Sequence, residues 1–275
     1  MIKIAFPEWD NPIIKQALKE YNEEIKAGSD SKSANLTCIE PVSCENLSAG
    51  CAAVKAGVAD ALIVGIDYTS REVILACRDI IGMKSKTFSA SFWMKGGDFD
   101  GKSEFVIGDA AACKNPTEDQ LFDIVLQTYQ TAKRLLADEP KVAVLSFSTL
   151  GSGGKDPSIV RAQKVIKRVR AEHPEIIIDG EMQLDAAINP RVAAKKAPDS
   201  EVAGRANVLI LPDLNSGNIL YKAMEQFGGM TAAGPLLQGF NAPVSDLSRG
   251  STVADVKLVI EAIGKLVEKV DNGDK

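Results

Sequence analysis

The chain has 275 residues, 45% of them hydrophobic and 25% charged, with a net charge of −5 and a pI of about 5.2. That length holds two domains, or one large one, with a well-buried core. The acidic balance and the lack of any Lys/Arg run exclude nucleic acid as the main partner, because neutralising phosphates needs clustered basic side chains. No apolar run approaches the roughly 20 residues that cross a bilayer, and the opening "MIKIAFPEWD" lacks the shape of a signal peptide. The expectation is a cytoplasmic protein without membrane contact. Five cysteines, at 38, 44, 51, 77 and 113, lack the CxxC spacing of a zinc or redox site and read as reduced thiols.

In chain order, "IKIAFPE" (2–8) reads as a buried strand, followed by a helix over about 11–27. "DALIVGI" (60–66), "VAVLSFS" (142–148), "EIIIDGE" (175–181) and "NVLILPD" (207–213) are further strands, each short and ending at a small or polar residue. Helical patterns occupy 119–136, 157–171 and 252–270. Strands alternating with helices, and apolar without period-two relief, predict an α/β protein whose parallel or mixed sheets are covered by helices. "CKNPTEDQ" (113–120) and "GFNAPVSD" (239–246) are candidate domain crossings. Two crossings divide the chain into a first α/β domain, 1–116 plus 243–275, and an inserted second one, 117–242. Thr117 is placed to cap the helix that follows it.

Ligands of parallel α/β sheets bind beyond the carboxyl ends of strands. After "VAVLSFS" comes "TLGSGGKDPS", a glycine-rich loop running into Asp156-Pro157, a cap and first helical residue. Its backbone N–H groups could hold an anion, or its glycines could serve only the turn. It is not a nucleotide loop: Thr149 and Asp156 occupy positions where a Walker loop needs Gly and Ser/Thr, and Asp156 breaks GxGxxG. "LNSGN" (214–218) and "GEMQLDAA", with Glu181, Gln183 and Asp185, lie beyond two further strands. Near the end, "PVSDLSRGSTVADV" places Ser248 and Arg249 ahead of a helix. Thr252 and Asp255 there have the spacing of a capping box.

The one histidine, His173, precedes Pro174 at a helix end and reads as a surface cap, which leaves no partner for a Ser-His or Cys-His machine. Without histidine ligands or clustered carboxylates no metal site is expected. Hydroxyls, an arginine and a carboxylate remain.

Several stretches together resemble the phosphate acetyl/butyryltransferase family: "VAVLSFST", "DGEMQLDAA", "VAAKKAPDSEVAGRANVLILPDLNSGNILYK" and "GPLLQGFNAPVSDLSRGSTVADV". The similarity is dense over about 139–260 and patchier before. It implies two α/β domains with a substrate cleft between them, of the isocitrate/isopropylmalate dehydrogenase type, in a homodimer. It implies exchange of acetyl-CoA plus phosphate for acetyl phosphate plus CoA, by direct thiolate attack in a ternary complex. CoA is then a substrate, and no cofactor is permanently bound. The family's catalytic set falls on Ser248, Arg249 and Asp255, with Asp255 as general base, Arg249 on the phosphoryl oxygens and Ser248 on the developing oxyanion. Ser148, Thr149, Gly151, Ser152, Asn215 and Ser216 are candidate phosphate or acyl contacts.

Two departures bear on activity. Residues 25–35, "IKAGSDSKSAN", stand where the family has an extra strand and helix. "VILACRDIIG" stands where it has "TLRPALQIIG", which puts Leu75 at the position of a substrate-binding arginine. Arg71 and Arg78, four before and three after, share a helical face with residue 75 and could supply the same charge. The alternatives are a phosphate butyryltransferase, or a non-catalytic homologue that binds acyl-CoA or acetyl phosphate as a regulator.

Overall fold

A computed structural model describes residues 1–28, 37–99 and 102–267. Most of the 25–35 stretch therefore lies outside the described residues. Two compact units are present: residues 1–86 with 233–275, and residues 87–232.

In the first unit, strands β1 (Ile2–Phe6), β2 (Ile39–Ser43) and β3 (Ala61–Val64) alternate with helices α1 (Pro12–Ala27) and α2 (Leu47–Lys55). β1 lies parallel between β2 and β3. β10 (Val244–Asp246) joins β3 in parallel, in the register Val244↔Leu62 to Asp246↔Val64, and pairs antiparallel with β9 (Met230–Gln238). Burial explains the unbroken apolar runs: every residue of β3 and β10 is buried. The helices start where the side chains can cap them. Asn11 accepts from the Ile13 N–H ahead of Pro12, and Gly28, at φ +61, ends α1. After β3, helix α3 (Ser70–Ala76) runs into a π-helical turn, Cys77–Ile81, that stops at Gly82.

The second unit begins with an antiparallel hairpin, β4 (Ser89–Phe99) and β5 (Lys102–Gly108). β5 continues in parallel to β8 (Val208–Ile210), then β6 (Lys141–Leu145), then β7 (Ile177–Met182). Helices α4 (Glu118–Leu135), α5 (Pro157–Glu172), α6 (Leu184–Ile188), α7 (Pro190–Lys196) and α8 (Leu214–Gln226) surround these strands. Thr117 caps α4 as expected, in a capping box with Gln120. Asp156 and Pro157 open α5, and His173 is that helix's C-cap. The hairpin precedes the polar 113–120 stretch but hydrogen-bonds into β8 through Val106↔Val208. The changeover between units thus falls at Lys86/Thr87, upstream of that stretch, and the return falls at Ala232/Ala233.

Helix α9 (Val253–Val267) returns to the first unit, where it packs along α1. No described helix is long and apolar enough to cross a membrane. Phe105 is among the largest fully buried side chains of the second unit. Phe105→Ala is expected to cost about 3–5 kcal/mol, read as a lowered midpoint of urea unfolding.

Candidate functional site

In the first unit the loops after the adjacent parallel strands β3 and β10 enclose a cavity of about 260 Å³. Gly65, Tyr68, Thr69 and Ser70 line it from the β3 side, and Asp246, Leu247, Ser248 and Arg249 from the β10 side. Two of the expected catalytic residues therefore share one pocket at the carboxyl ends of neighbouring strands, where α/β sheets hold ligands. Ser248 opens a tight turn closed by the Ser251 N–H on its carbonyl at 3.0 Å. Its Oγ accepts from the Gly250 N–H at 3.3 Å, which leaves the hydroxyl proton free to be donated. Arg249 is exposed and makes no ion pair among the described residues.

Asp255 closes the capping box read from the sequence. Its Oδ2 accepts from both the Thr252 N–H and hydroxyl at 2.8 Å, and its own N–H donates to Thr252 Oγ1 at 3.3 Å. All three bonds leave Oδ1 unused. The side chain is thus a cap with one oxygen in reserve.

Below the pocket, the buried Glu8 organises the loop after β3. Its carboxylate accepts from the N–H groups of Gly65, Ile66 and Asp67 at 2.8, 3.2 and 2.5 Å. A Cβ on Gly65 would stand 2.4 Å from Asp246 Oδ1 and 2.5 Å from the Leu247 nitrogen, and its φ of +126 is open to glycine. Glycine here lets the two loops meet. Asp246 is 4% exposed, and its Oδ1 is shut off from solvent with no hydrogen-bond partner. Burial, reinforced by the Glu8 charge and opposed by the Ser70 hydroxyl, pushes its pKa up to about 6.

Leu75 is 36% exposed on α3. Arg71, one turn earlier, is exposed and makes no ion pair among the described residues. Arg78 lies in the π-helical turn, which alters the angular step assumed for a continuous α-helix. Its Nε is held by Asp79 at 2.7 Å. Of the two, Arg71 has the uncommitted guanidinium.

Of the two readings of the glycine-rich loop, an anion site or a turn only, its hydrogen bonds in the second unit favour the turn. Each backbone N–H from Ser148 to Gly154 is already taken. Ser148 donates to Ser146 Oγ, Thr149 to Ser152 Oγ, and Gly153 to Ser148 Oγ. Leu150, Ser152 and Gly154 donate to carbonyls of Glu181, Thr149 and Gly151. Gly151 donates to Glu181 Oε1 at 2.7 Å. Glu181, fully buried, supplies the anion from within: it also accepts the Ser148 hydroxyl at 2.6 Å and the Gln163 amide at 3.0 Å. Ser148 is buried and Gly151's N–H is committed, so neither is open to a ligand; Thr149 Oγ1 is buried and accepts from the Gln183 N–H. Ser152 is exposed at the loop tip.

The "LNSGN" stretch is the first turn of α8. Asp213 caps it, and the Ser216 hydroxyl returns to Asp213, while Asn215 is exposed. Gln183 and Asp185 both accept from Lys196. Sequence reasoning missed Asp246, Ser70 and Glu8. Asp246 stands inside the quoted "PVSDLSRG", but a strand of three residues has no period to show which way it faces.

Burial alone would raise the Glu181 pKa, but its hydrogen bonds outweigh that and hold it below the ordinary 4.5. Stability from this clamp is therefore full above the ordinary carboxylate range and is lost as pH falls through the lower folded value. Glu181→Ala, which strands the Ser148 hydroxyl and the Gly151 N–H, is expected to cost about 3 kcal/mol and to speed amide exchange at Gly151 and Gly153. Unchanged exchange at both glycines would show that the clamp does not hold the loop.

Residues 2–263 match the family model described as "Phosphate acetyl/butaryl transferase". A phosphate acetyltransferase from Clostridium acetobutylicum is 42% identical over 212 residues, 76% of this chain and 63% of the relative. The match thus spans somewhat under two thirds of that relative's length. The EutD phosphotransacetylase from Staphylococcus aureus superposes with a TM-score of 0.80 at 31% identity, covering 97% of this chain and 94% of that one. A 4-hydroxythreonine-4-phosphate dehydrogenase from Klebsiella pneumoniae, at 10% identity and a TM-score of 0.51 over 81% of this chain and 69% of that one, shares the fold alone. With a family model matched over almost its whole length, the chain belongs to the phosphate acetyl/butyryl transferase family.

Proposed function

We propose that the protein is a phosphate acyltransferase that interconverts acetyl-CoA plus phosphate with acetyl phosphate plus CoA. The observation that carries this reading is the pairing of Ser248 and Arg249 in one pocket beyond β3 and β10. Family membership and the 42% identical phosphate acetyltransferase support it.

Arg249 offers a planar fork of donors to the phosphoryl oxygens, and with no carboxylate partner among the described residues that fork is left for a ligand. The Ser248 hydroxyl, which only accepts from Gly250, donates to the carbonyl oxygen as negative charge builds there. Asp255 takes the CoA thiol proton on Oδ1 while Oδ2 holds the cap. A thiol with a pKa near ~8.5 is mostly protonated at neutral pH, so a base here is worth roughly 10²–10⁴-fold. The thiolate attacks the acyl carbon directly, in a ternary complex, and phosphate departs. Arg71 carries the charge that Leu75 lacks. The two compact units serve as the two domains of a cytoplasmic homodimer that uses CoA as substrate and keeps no bound cofactor.

The first experiment is CoA-dependent thioester formation from acetyl phosphate, with butyryl phosphate alongside. Turnover faster with acetyl phosphate is expected; turnover faster with butyryl phosphate would make the enzyme a butyryltransferase. Folded protein that binds CoA but turns over neither would be a regulatory homologue. Arg249→Ala is expected to lower kcat/KM by roughly 100-fold or more with folding unchanged; a loss of only a few-fold would remove the residue from the site. Arg71→Ala should raise KM for CoA or phosphate about tenfold, while Arg78→Ala, already tied to Asp79, should change it little.

A further inference from the structure

Polar side chains dominate the pocket that holds Ser248 and Arg249, with Thr69, Ser70 and Asp246 beside them. Its apolar lining comes from three residues, Tyr68, Pro235 and Leu247. Leu247 is 4% exposed and offers little surface to a ligand. Pro235 presents only a short ring from within β9. Tyr68, half-buried, is the one aromatic side chain of the lining among the described residues.

This tyrosine is held from several directions. Just before it, the Asp67 N–H is bound by the Glu8 carboxylate. Just after it, the Thr69 N–H donates to Glu72 Oε2 at 2.8 Å in the capping box of α3. At the far end of the side chain, the phenol oxygen accepts from the Leu47 N–H at 3.2 Å. Leu47 is the first residue of α2, where a helix leaves its N–H groups without partners of its own. The cap residue Asn46 serves a different donor, the Ala49 N–H, so Tyr68 is the phenol that satisfies Leu47. A ring fixed both at its backbone and at its oxygen cannot swing aside for a larger ligand without breaking these bonds.

We propose that Tyr68 sets the length of acyl chain the enzyme accepts, its ring standing as the wall that admits an acetyl group and turns away a butyryl group. The proposal rests on the acyltransferase reading of this pocket. With the carbonyl oxygen on the Ser248 hydroxyl, the carbons beyond it need apolar surface. Packing them on Thr69, Ser70 or Arg249 would strip water from groups that then lack hydrogen bonds. The ring of Tyr68 is the larger apolar surface on offer. The cavity of about 260 Å³ must also take the phosphoryl group, so two further methylenes press against a side chain that cannot yield. Overfilling a fixed site is costly, and a single methylene already changes rates by about 10–200-fold.

The test is thioester formation by the full chain from CoA with acetyl, propionyl and butyryl phosphate, with kcat/KM measured for each. Wild-type protein is expected to favour acetyl over butyryl phosphate by roughly 100-fold, with propionyl between them. Tyr68→Ala should raise kcat/KM for butyryl phosphate about tenfold or more in absolute terms while the value for acetyl phosphate does not rise. Tyr68→Phe keeps the ring and loses the oxygen, and should favour acetyl phosphate still. Tyr68→Leu, which retains an apolar side chain, should shift selectivity in the same direction as alanine and serves if Tyr68→Ala fails to fold. A butyryl value that fails to rise in both shortened variants overturns the role of Tyr68, as does wild-type protein that uses butyryl phosphate as well as acetyl phosphate; both outcomes leave the acyltransferase reading intact. Folded wild-type protein that turns over none of the three overturns that reading, and the proposal with it.

Discussion

Buried carboxylates hold the loops at the carboxyl ends of the strands, and the rest of the site depends on them. Glu8 gathers three N–H groups after β3. Asp109 gathers those of Ala111, Ala112 and Cys113 after β5. Glu181 takes the Gly151 N–H and the Ser148 hydroxyl after β6. Successive N–H groups in a tight loop form a concavity that attracts an anion. Each of these loops fills its own concavity with a side chain from the same unit. The loops are thereby fixed in shape before any ligand arrives, and the anion-binding capacity left over lies in side chains.

Electrostatic consequences differ among the three. At Asp109 desolvation outweighs the backbone hydrogen bonds and the pKa is raised. At Glu181 the bonds win and it is lowered. Glu8 acts outward as well, since its charge raises the pKa of Asp246. A residue whose local task is to order a backbone loop thus also adds to the upward pKa shift that burial gives Asp246. Gly65 makes this coupling possible, because any Cβ there would occupy the place of Asp246 Oδ1.

At Asp255 a structural role and the proposed chemical one fall on a single group. The capping box uses one carboxylate oxygen and leaves the other for the proposed role as base. Glu72 in the capping box of α3 has the same arrangement, with Oε2 alone accepting from Thr69. A capping pattern in sequence therefore does not argue against function at the same residue.

Much of the fold was legible in the sequence. The apolar runs at 2–8, 60–66, 142–148 and 207–213 mark β1, β3, β6 and β8, because strands buried on both faces need no alternation. Asn11, Thr117 and Asp156 marked helix starts through local hydrogen bonding. "DLSRG" pointed to Ser248 and Arg249. Other features arise only from contacts between distant segments. The hairpin β4–β5 joins the second unit through β8, about a hundred residues later in the chain. The glycine-rich loop could be read as an anion site or as a plain turn, and only Glu181, some thirty residues away, distinguishes them by taking the Gly151 N–H. Asp246 reads as an ordinary polar residue at the end of a short strand. Its close approach to Gly65 and its raised pKa, which burial and the Glu8 charge bring about against the Ser70 hydroxyl, come from residues far away in the chain. The sequence by itself determined the α/β alternation, the caps and the Ser-Arg pair, because those depend on residues close along the chain. Tertiary structure alone decided which carboxylates are buried, what they accept from and which of them reach the pocket, because desolvation and charge act through space.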